Sequence, residues 1–151
     1  MSAGARPAVT VAAVIERQGR FLLVEEEEEG RLVLNQPAGH LEAGESLLEA
    51  VVREVREETA HRFEPEAIVG VYRWHDRAKE ATFLRFCFCG RDAGPVAAGA
   101  PQRPIRALHW LSAEELRARS PMHRSPLVQR CVDDYAAGRH FPLAILSKDF
   151  P

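Results

Sequence analysis

Glu54, Glu57 and Glu58 are the residues of this chain whose type and spacing could do chemistry. At i, i+3 and i+4 of a helix, their carboxylates share one flank. Like charges at that spacing repel, and each pair weakens a helix by roughly a few tenths of a kcal/mol. A bound cation would cancel the repulsion. Clustered carboxylate oxygens are the donors that a hard divalent ion such as Mg2+ prefers, and Mg2+ commonly completes its shell with waters and substrate phosphates. The spacing alone is also that of a solvated acidic helix face, because such charge sets are common on exposed helices.

Neighbouring segments must position these carboxylates. A helix from Ser46 to Thr59 sets Leu48, Val51, Val52, Val55 and Thr59 on a core-facing stripe. The three glutamates then lie roughly 120° from that stripe, given a helix period of about 3.6 residues. Ahead of the helix, Arg31 to Asn35 reads as a strand. Gln36-Pro37-Ala38-Gly39 stops its ladder and steers the chain into a loop before the helix.

The wider pattern is more specific than the spacing. Gly39, five residues to Glu45, seven to Arg53-Glu54, an apolar Val55 and then Glu57-Glu58 resembles the Nudix box, the signature of the Nudix hydrolases. Two positions depart from it: the signature's late glycine is Ala60 here, and the apolar residue after it is His61. That glycine ends the helix in a left-handed conformation, which alanine tolerates poorly, so a different helix exit is expected.

The resemblance implies an α/β fold, a Nudix α/β/α sandwich with a mixed sheet and a central Nudix-box helix. It implies a site for Mg2+, with Mn2+ as the alternative, formed by Glu54, Glu57, Glu58 and the backbone carbonyl of Ala38. Gly39, Glu45 and Arg53 are then structural members of the box, Glu45 and Arg53 forming an ion pair that ties loop to helix. Catalysis falls to Glu54 and Glu57. Outside the box, Val9 to Ala12, Asn35 to Glu42, Phe83 to Phe86, Trp110 to Glu115 and Arg124 to Val128 are similar to one bacterial branch of the family. Members of that branch hydrolyse nucleoside tri- and diphosphates with release of orthophosphate, and act on hydroxymethylpyrimidine pyrophosphate.

The implied reaction is metal-assisted hydrolysis of a phosphoanhydride in a nucleotide or a related small pyrophosphate. Many Nudix enzymes carry an acid ahead of the strand leading into the Trp-Leu-Ser segment. Here the residues are Arg103-Pro104-Ile105-Arg106. The general base must come from elsewhere, and Glu54 is preferred to Glu80. The alternatives are a pyrophosphatase for ADP-ribose or oxidised nucleotides, and a catalytically silent Nudix module that binds nucleotides.

Composition bounds the remaining classes. A chain of 151 residues with 46% hydrophobic content suits one domain with a real core, spanning residues 1–151. A formal net charge of −2 offers no case for nucleic-acid backbone binding. Three cysteines make no disulfide framework, and Cys87 and Cys89 read as reduced thiols on one face of a strand. Ala8 to Ile15 is too short to span a membrane and reads as a buried strand. The expectation is a cytoplasmic monomer or homodimer acting on a small molecule, without nucleic acid or membrane partners.

The other elements follow in order. Met1 to Pro7 is a frayed leader. Val9 to Glu16 and Phe21 to Glu25 form a hairpin about Gln18-Gly19-Arg20. Glu25 to Glu29 is an acidic solvated loop rather than a second metal site. Ile68 to Trp74 and Thr82 to Cys89 are strands around a polar loop from His75 to Ala81. On the second, Phe86 and Phe88 face the core and Arg85 the other side, where it meets either a substrate phosphate or a glutamate. Trp74 either stacks on a substrate ring or packs in the core, and His75 is a loop histidine. Arg91 to Pro104 is a loop, and Ile105 to Leu111 a strand. Ser112 caps a short helix to Arg119, and Ser125-Pro126 opens another over Leu127 to Ala137.

Overall fold

The computed structural model describes residues 5–97, 101 and 103–147. β1 (Ala8–Arg17) and β2 (Arg20–Glu28) form the expected hairpin. Its two turn residues, Gln18 and Gly19, have φ of 51° and 77°, the mirror-image turn that follows the twist of antiparallel strands. The strands part after Glu16 and Phe21. β1 then pairs with β4 (Ala38–His40), antiparallel, and with β6 (Ala81–Pro95), parallel. β2 pairs with β3 (Arg31–Asn35) and β7 (Ile105–Leu111), both antiparallel. β5 (His61–Asp76) lies antiparallel to β6, and β8 (Phe141–Pro142) adds to its far edge.

Alternation along the central strands builds two cores, one on each face of the sheet. Val11, Ala13 and Ile15 of β1 join Phe88 and Ile68 beneath Ala50, Val51 and Val55 of α1 (Leu47–Thr59). Ala12 and Val14 join Cys87 and Cys89 beneath α2 (Ala113–Arg117) and α3 (Leu127–Ala136), which supply Leu116, Val128, Cys131 and Val132. Burying each large aliphatic side chain is worth roughly 1.5–3 kcal/mol. Helices thus cover a mixed sheet on both sides, the α/β/α sandwich. All three cysteines are free and buried. No described helix is long and apolar enough to cross a membrane.

The structure corrects several boundaries. Glu25 to Glu28 is strand rather than loop, and the chain turns at Glu29-Gly30, where φ is 50° and 77°. Pairing with β3 and β7 outweighs the charge run because each acid finds a partner: Glu25 the His109 ring, and Glu26, Glu27 and Glu28 the cations of Arg124, Arg106 and Lys79. The expected loop from Arg91 begins as a continuation of β6 to Pro95, while residues 98–100 and 102 lie outside the described residues. Its partner β5 begins at His61, not Ile68. Pro65 is tolerated within it because the ladder slips register between Pro65 and Ala67. The polar loop shrinks to a turn over residues 77–80. Ala38 to His40 is strand, not loop. Of the expected leader, Ala5 to Pro7 are exposed and residues 1–4 lie outside the described residues.

Candidate active site

Ser46 starts α1 with a capping box: its hydroxyl accepts from Glu49 N, and the Glu49 carboxylate accepts from Ser46 N. This fixes where the helix begins, and so which flank the three glutamates take. Val51, Val55 and Thr59 are buried as the stripe requires. Glu54 and Glu58 are not solvated: they are only 1% and 3% exposed. The flank they occupy faces β4 instead of water.

β4 is where the approach is closest. An ideal Cβ on Gly39 would lie 2.2 Å from Glu54 Cδ, so only glycine fits there. Gly39 exchanges ladder hydrogen bonds with Val11 of β1, and its neighbour Ala38 faces the other way. Ala38 N donates to Glu58 Oε1 at 3.3 Å. N–H and C=O of one strand residue point to the same side, so the Ala38 carbonyl is turned toward α1 as well.

Arg53 organises the loop between β4 and the helix. It donates to both oxygens of Glu45, at 2.6 and 2.9 Å, and to the His40 carbonyl at 3.0 Å. The same guanidinium reaches Glu54 Oε1 at 2.8 Å and Glu57 Oε2 at 3.3 Å. Its hydrogen bond holds the Glu45 carboxyl below the usual carboxylate range. Arg103 caps the ridge from the far side, 3.0 Å from Glu54 Oε1 and 2.9 Å from Glu57 Oε2.

Two features of this ridge suit a divalent cation. Glu54 Oε2 is buried and has no hydrogen-bond partner; a buried oxygen left so is costly unless something else occupies it. Burial, reinforced by the charges of Glu54 and Glu26, pushes the Glu58 carboxyl up to about 9. Burial likewise raises Glu54. A cation would relieve both, and hard carboxylate and carbonyl oxygens are the donor set for Mg2+ or Mn2+. Among the described residues no group of three His, Cys, Asp or Glu side chains already surrounds one metal position.

Ala38, Gly39, Glu58 and Arg103 open onto a cavity of about 330 Å3. Arg85 and Trp74 line it too. Arg85 is 7% exposed and donates to Gln36 Oε1 and Asn35 Oδ1, both at 3.0 Å. The Gln36 amide is oriented by its own donation to the Val128 carbonyl, which turns its oxygen to the arginine. Of the two partners the sequence leaves open, a glutamate is not found among the described residues: two neutral amides hold this guanidinium. Trp74 stacks on Phe83 with ring centroids 5.6 Å apart and also packs against the core. His75 bonds Thr82 beside the cavity. Glu80 sits on the exposed turn, away from the ridge.

A family model described as NUDIX domain matches residues 4–131. The chain belongs to the Nudix family. It is a hydrolase of the class that acts on phosphorus-containing acid anhydrides. The Nudix chain is 40% identical to the Phosphatase NudJ of Escherichia coli K12 over 145 residues, covering 93% of this chain and 91% of that one. A solved NUDIX hydrolase from Nitrosomonas europaea superposes with a TM-score of 0.91 at 47% identity, over 95% of this chain and 98% of that one. A MutT NUDIX hydrolase from Burkholderia pseudomallei shares the fold, with a TM-score of 0.71 at 23% identity over 86% and 98% of the two chains.

The Nudix-box departure at Ala60 leaves the helix exit unaltered. Ala60 adopts the left-handed conformation itself, with φ 58° and ψ 26°, and its N–H bonds Arg56 O. Close packing of this buried residue holds it there despite its methyl group. Three features of the Nudix site escaped the sequence reading. Arg103, noted only for not being an acid, closes the ridge. Glu26 and Glu28 face the cavity, which period-two alternation along the glutamate run would have revealed. Asn35 and Gln36 orient Arg85, for which no local pattern is a signal.

Proposed function

We propose that this protein is a Mg2+-dependent phosphohydrolase. It cleaves a phosphoanhydride bond of a nucleoside di- or triphosphate, or of a related small pyrophosphate such as hydroxymethylpyrimidine pyrophosphate, and releases phosphate. We read it as one domain acting in the cytoplasm on a small molecule. The observation that carries this reading is one cavity lined both by Glu58 of the carboxylate ridge and by Arg85, a buried arginine with no carboxylate partner among the described residues. The ridge suits a cation, and the arginine suits an anion. The 40% identity to a protein named Phosphatase NudJ supports phosphate release in particular.

In this mechanism Glu54, Glu57, Glu58 and the Ala38 carbonyl would hold the metal. Bound there, it supplies neutralisation of the diphosphate and a water of lowered pKa. Arg85 grips a phosphate oxygen, and the Asn35 and Gln36 oxygens keep its guanidinium plane aimed. Trp74, braced by Phe83, gives the ring of the substrate a flat surface. Attack on phosphorus is in line with the leaving oxygen. Glu54 accepts the proton of the attacking water. Arg53 and Glu45 hold the ridge rather than react.

Release of phosphate from a panel of nucleotides in Mg2+, against an EDTA control, tests the reading. Wild-type protein turns over only with the metal, and Glu57→Gln lowers the rate by about a hundredfold or more while the fold survives. Equal rates in Mg2+ and EDTA, or a wild-type rate in Glu57→Gln, would refute it. Product identity separates phosphate release from pyrophosphate or AMP release.

A further inference from the structure

Two arginines sit on the carboxylate ridge, and they are held very differently. Arg53 is locked by Glu45 and the His40 carbonyl, so it cannot leave. The Arg103 guanidinium donates only to Glu54 and Glu57 among the described residues, and its side chain is 41% exposed. Its backbone is tied to the start of β7, since Ile105 N donates to the Arg103 carbonyl at 2.7 Å. A side-chain swing from this fixed point is therefore the motion open to it. The same residue lines the cavity that Arg85 also lines.

We propose that Arg103 is a tethered counter-ion for the metal site. In the free protein its guanidinium neutralises Glu54 and Glu57; when a divalent cation takes those carboxylates, Arg103 turns to the phosphates of the substrate. This rests on the reading that the ridge holds a divalent ion. Glu54 and Glu57 share one helix flank and need positive charge beside them, and Arg53 is divided between them and Glu45. Arg53 and Arg103 both donate to Glu54 Oε1 and Glu57 Oε2, so a divalent ion that takes these carboxylates displaces the one guanidinium that nothing else holds among the described residues. The displaced arginine has a planar fork of donors that matches a phosphate as well as it matched the carboxylates. Metal and substrate binding are thereby coupled: the metal alone must evict Arg103, and the diphosphate rewards the eviction. By linkage, each ligand then tightens the other.

Titration calorimetry with MgCl2 alone, on wild type, Arg103→Ala and Arg103→Lys, tests this. Arg103→Ala binds Mg2+ about tenfold more tightly than wild type, because no charge-assisted contacts need breaking. Arg103→Lys falls between, since an ammonium is a single point charge. Without metal, Arg103→Ala melts at a lower temperature, and Mg2+ restores more of that loss than it adds to wild type. For a nucleoside diphosphate at saturating Mg2+, the variant's KM rises by more than its kcat falls. A role in packing alone would not tighten metal binding. Wild-type or weaker Mg2+ affinity in a folded Arg103→Ala or Arg103→Gln protein overturns the proposal but leaves the hydrolase reading standing. Failure of wild type itself to bind Mg2+ at millimolar concentration sinks both.

Discussion

The Gly39 α-carbon lies against the Glu54 carboxyl group, leaving no space for even one added methyl: an ideal Cβ would sit 2.2 Å from both Cδ and Oε1. The glycine is thus required by an approach between a strand and a helix, not by its own backbone angles. Gly39→Ala should push the carboxyl off its position. Overpacking of this kind costs about 1–3 kcal/mol. Urea denaturation measures that loss, and Mg2+-dependent phosphate release should fall at least tenfold alongside it. A wild-type profile in both assays would show that Glu54 can retreat freely.

Glu58 and Glu45 carry opposite pH signatures. The Glu58 carboxyl is raised to about 9 by burial and by its acidic neighbours. Its folded value exceeds its unfolded value, so the folded state holds the proton more tightly. Stability of the metal-free protein is then fullest below about 4.5 and declines as pH rises toward 9. Glu58→Gln should flatten that decline and should abolish the extra stability that Mg2+ confers. Thermal melts in EDTA from pH 5 to about 9 read the slope; an identical slope in the variant contradicts the assignment.

Glu45 is lowered by its hydrogen bonds from Arg53, and this contribution runs the other way. It is present above the ordinary carboxylate value and is lost as pH falls through the depressed one. Glu45→Gln should therefore destabilise the protein at neutral pH, by about 1 kcal/mol after allowance for solvent screening. At a pH below that depressed value, where the wild-type carboxylate is itself protonated, the gap should close. Paired denaturation curves at the two pH values decide it.

Arg85 offers a test of the cavity wall. Arg85→Lys keeps the charge but cannot span the Asn35 and Gln36 oxygens, so its aim is lost. We expect KM for a nucleoside diphosphate to rise by about tenfold, with kcat falling less. A variant whose kcat falls while KM stays fixed would give Arg85 a role in the transition state alone.

The β1–β2 turn tests the backbone account away from the site. Gln18 holds φ of 51° in a turn that favours asparagine before glycine. Gln18→Asn should stabilise the protein by roughly 0.5 kcal/mol with no change in turnover. A lower melting temperature would mean that Gln18 contributes something other than turn geometry.

Much of this protein was legible in its covalent order. Helical period alone sets Glu54, Glu57 and Glu58 on one flank, strand alternation separates Phe88 from Cys87, and Ser46 and Ser112 mark their helices as capping residues. Such features depend on neighbours within a turn or two, which a sequence displays directly. Other boundaries misled for a physical reason. The glutamate run looks like a loop until each acid is seen to have a partner far along the chain, and Ala60 looks like a broken cap until packing is seen to hold it.

What only the tertiary structure decided are the encounters between distant residues. Arg103 meets Glu57 across 46 positions, and Arg85 meets Gln36 across 49. No periodicity encodes these pairs, because they arise where segments far apart in the chain are laid together: β4 packs on α1, and β1 pairs with both β4 and β6. The sequence by itself determined that three carboxylates would share a ridge. The fold decided that Glu54 and Glu58 would be buried, which arginines would answer the ridge, and that Glu58 and Arg85 would line one cavity.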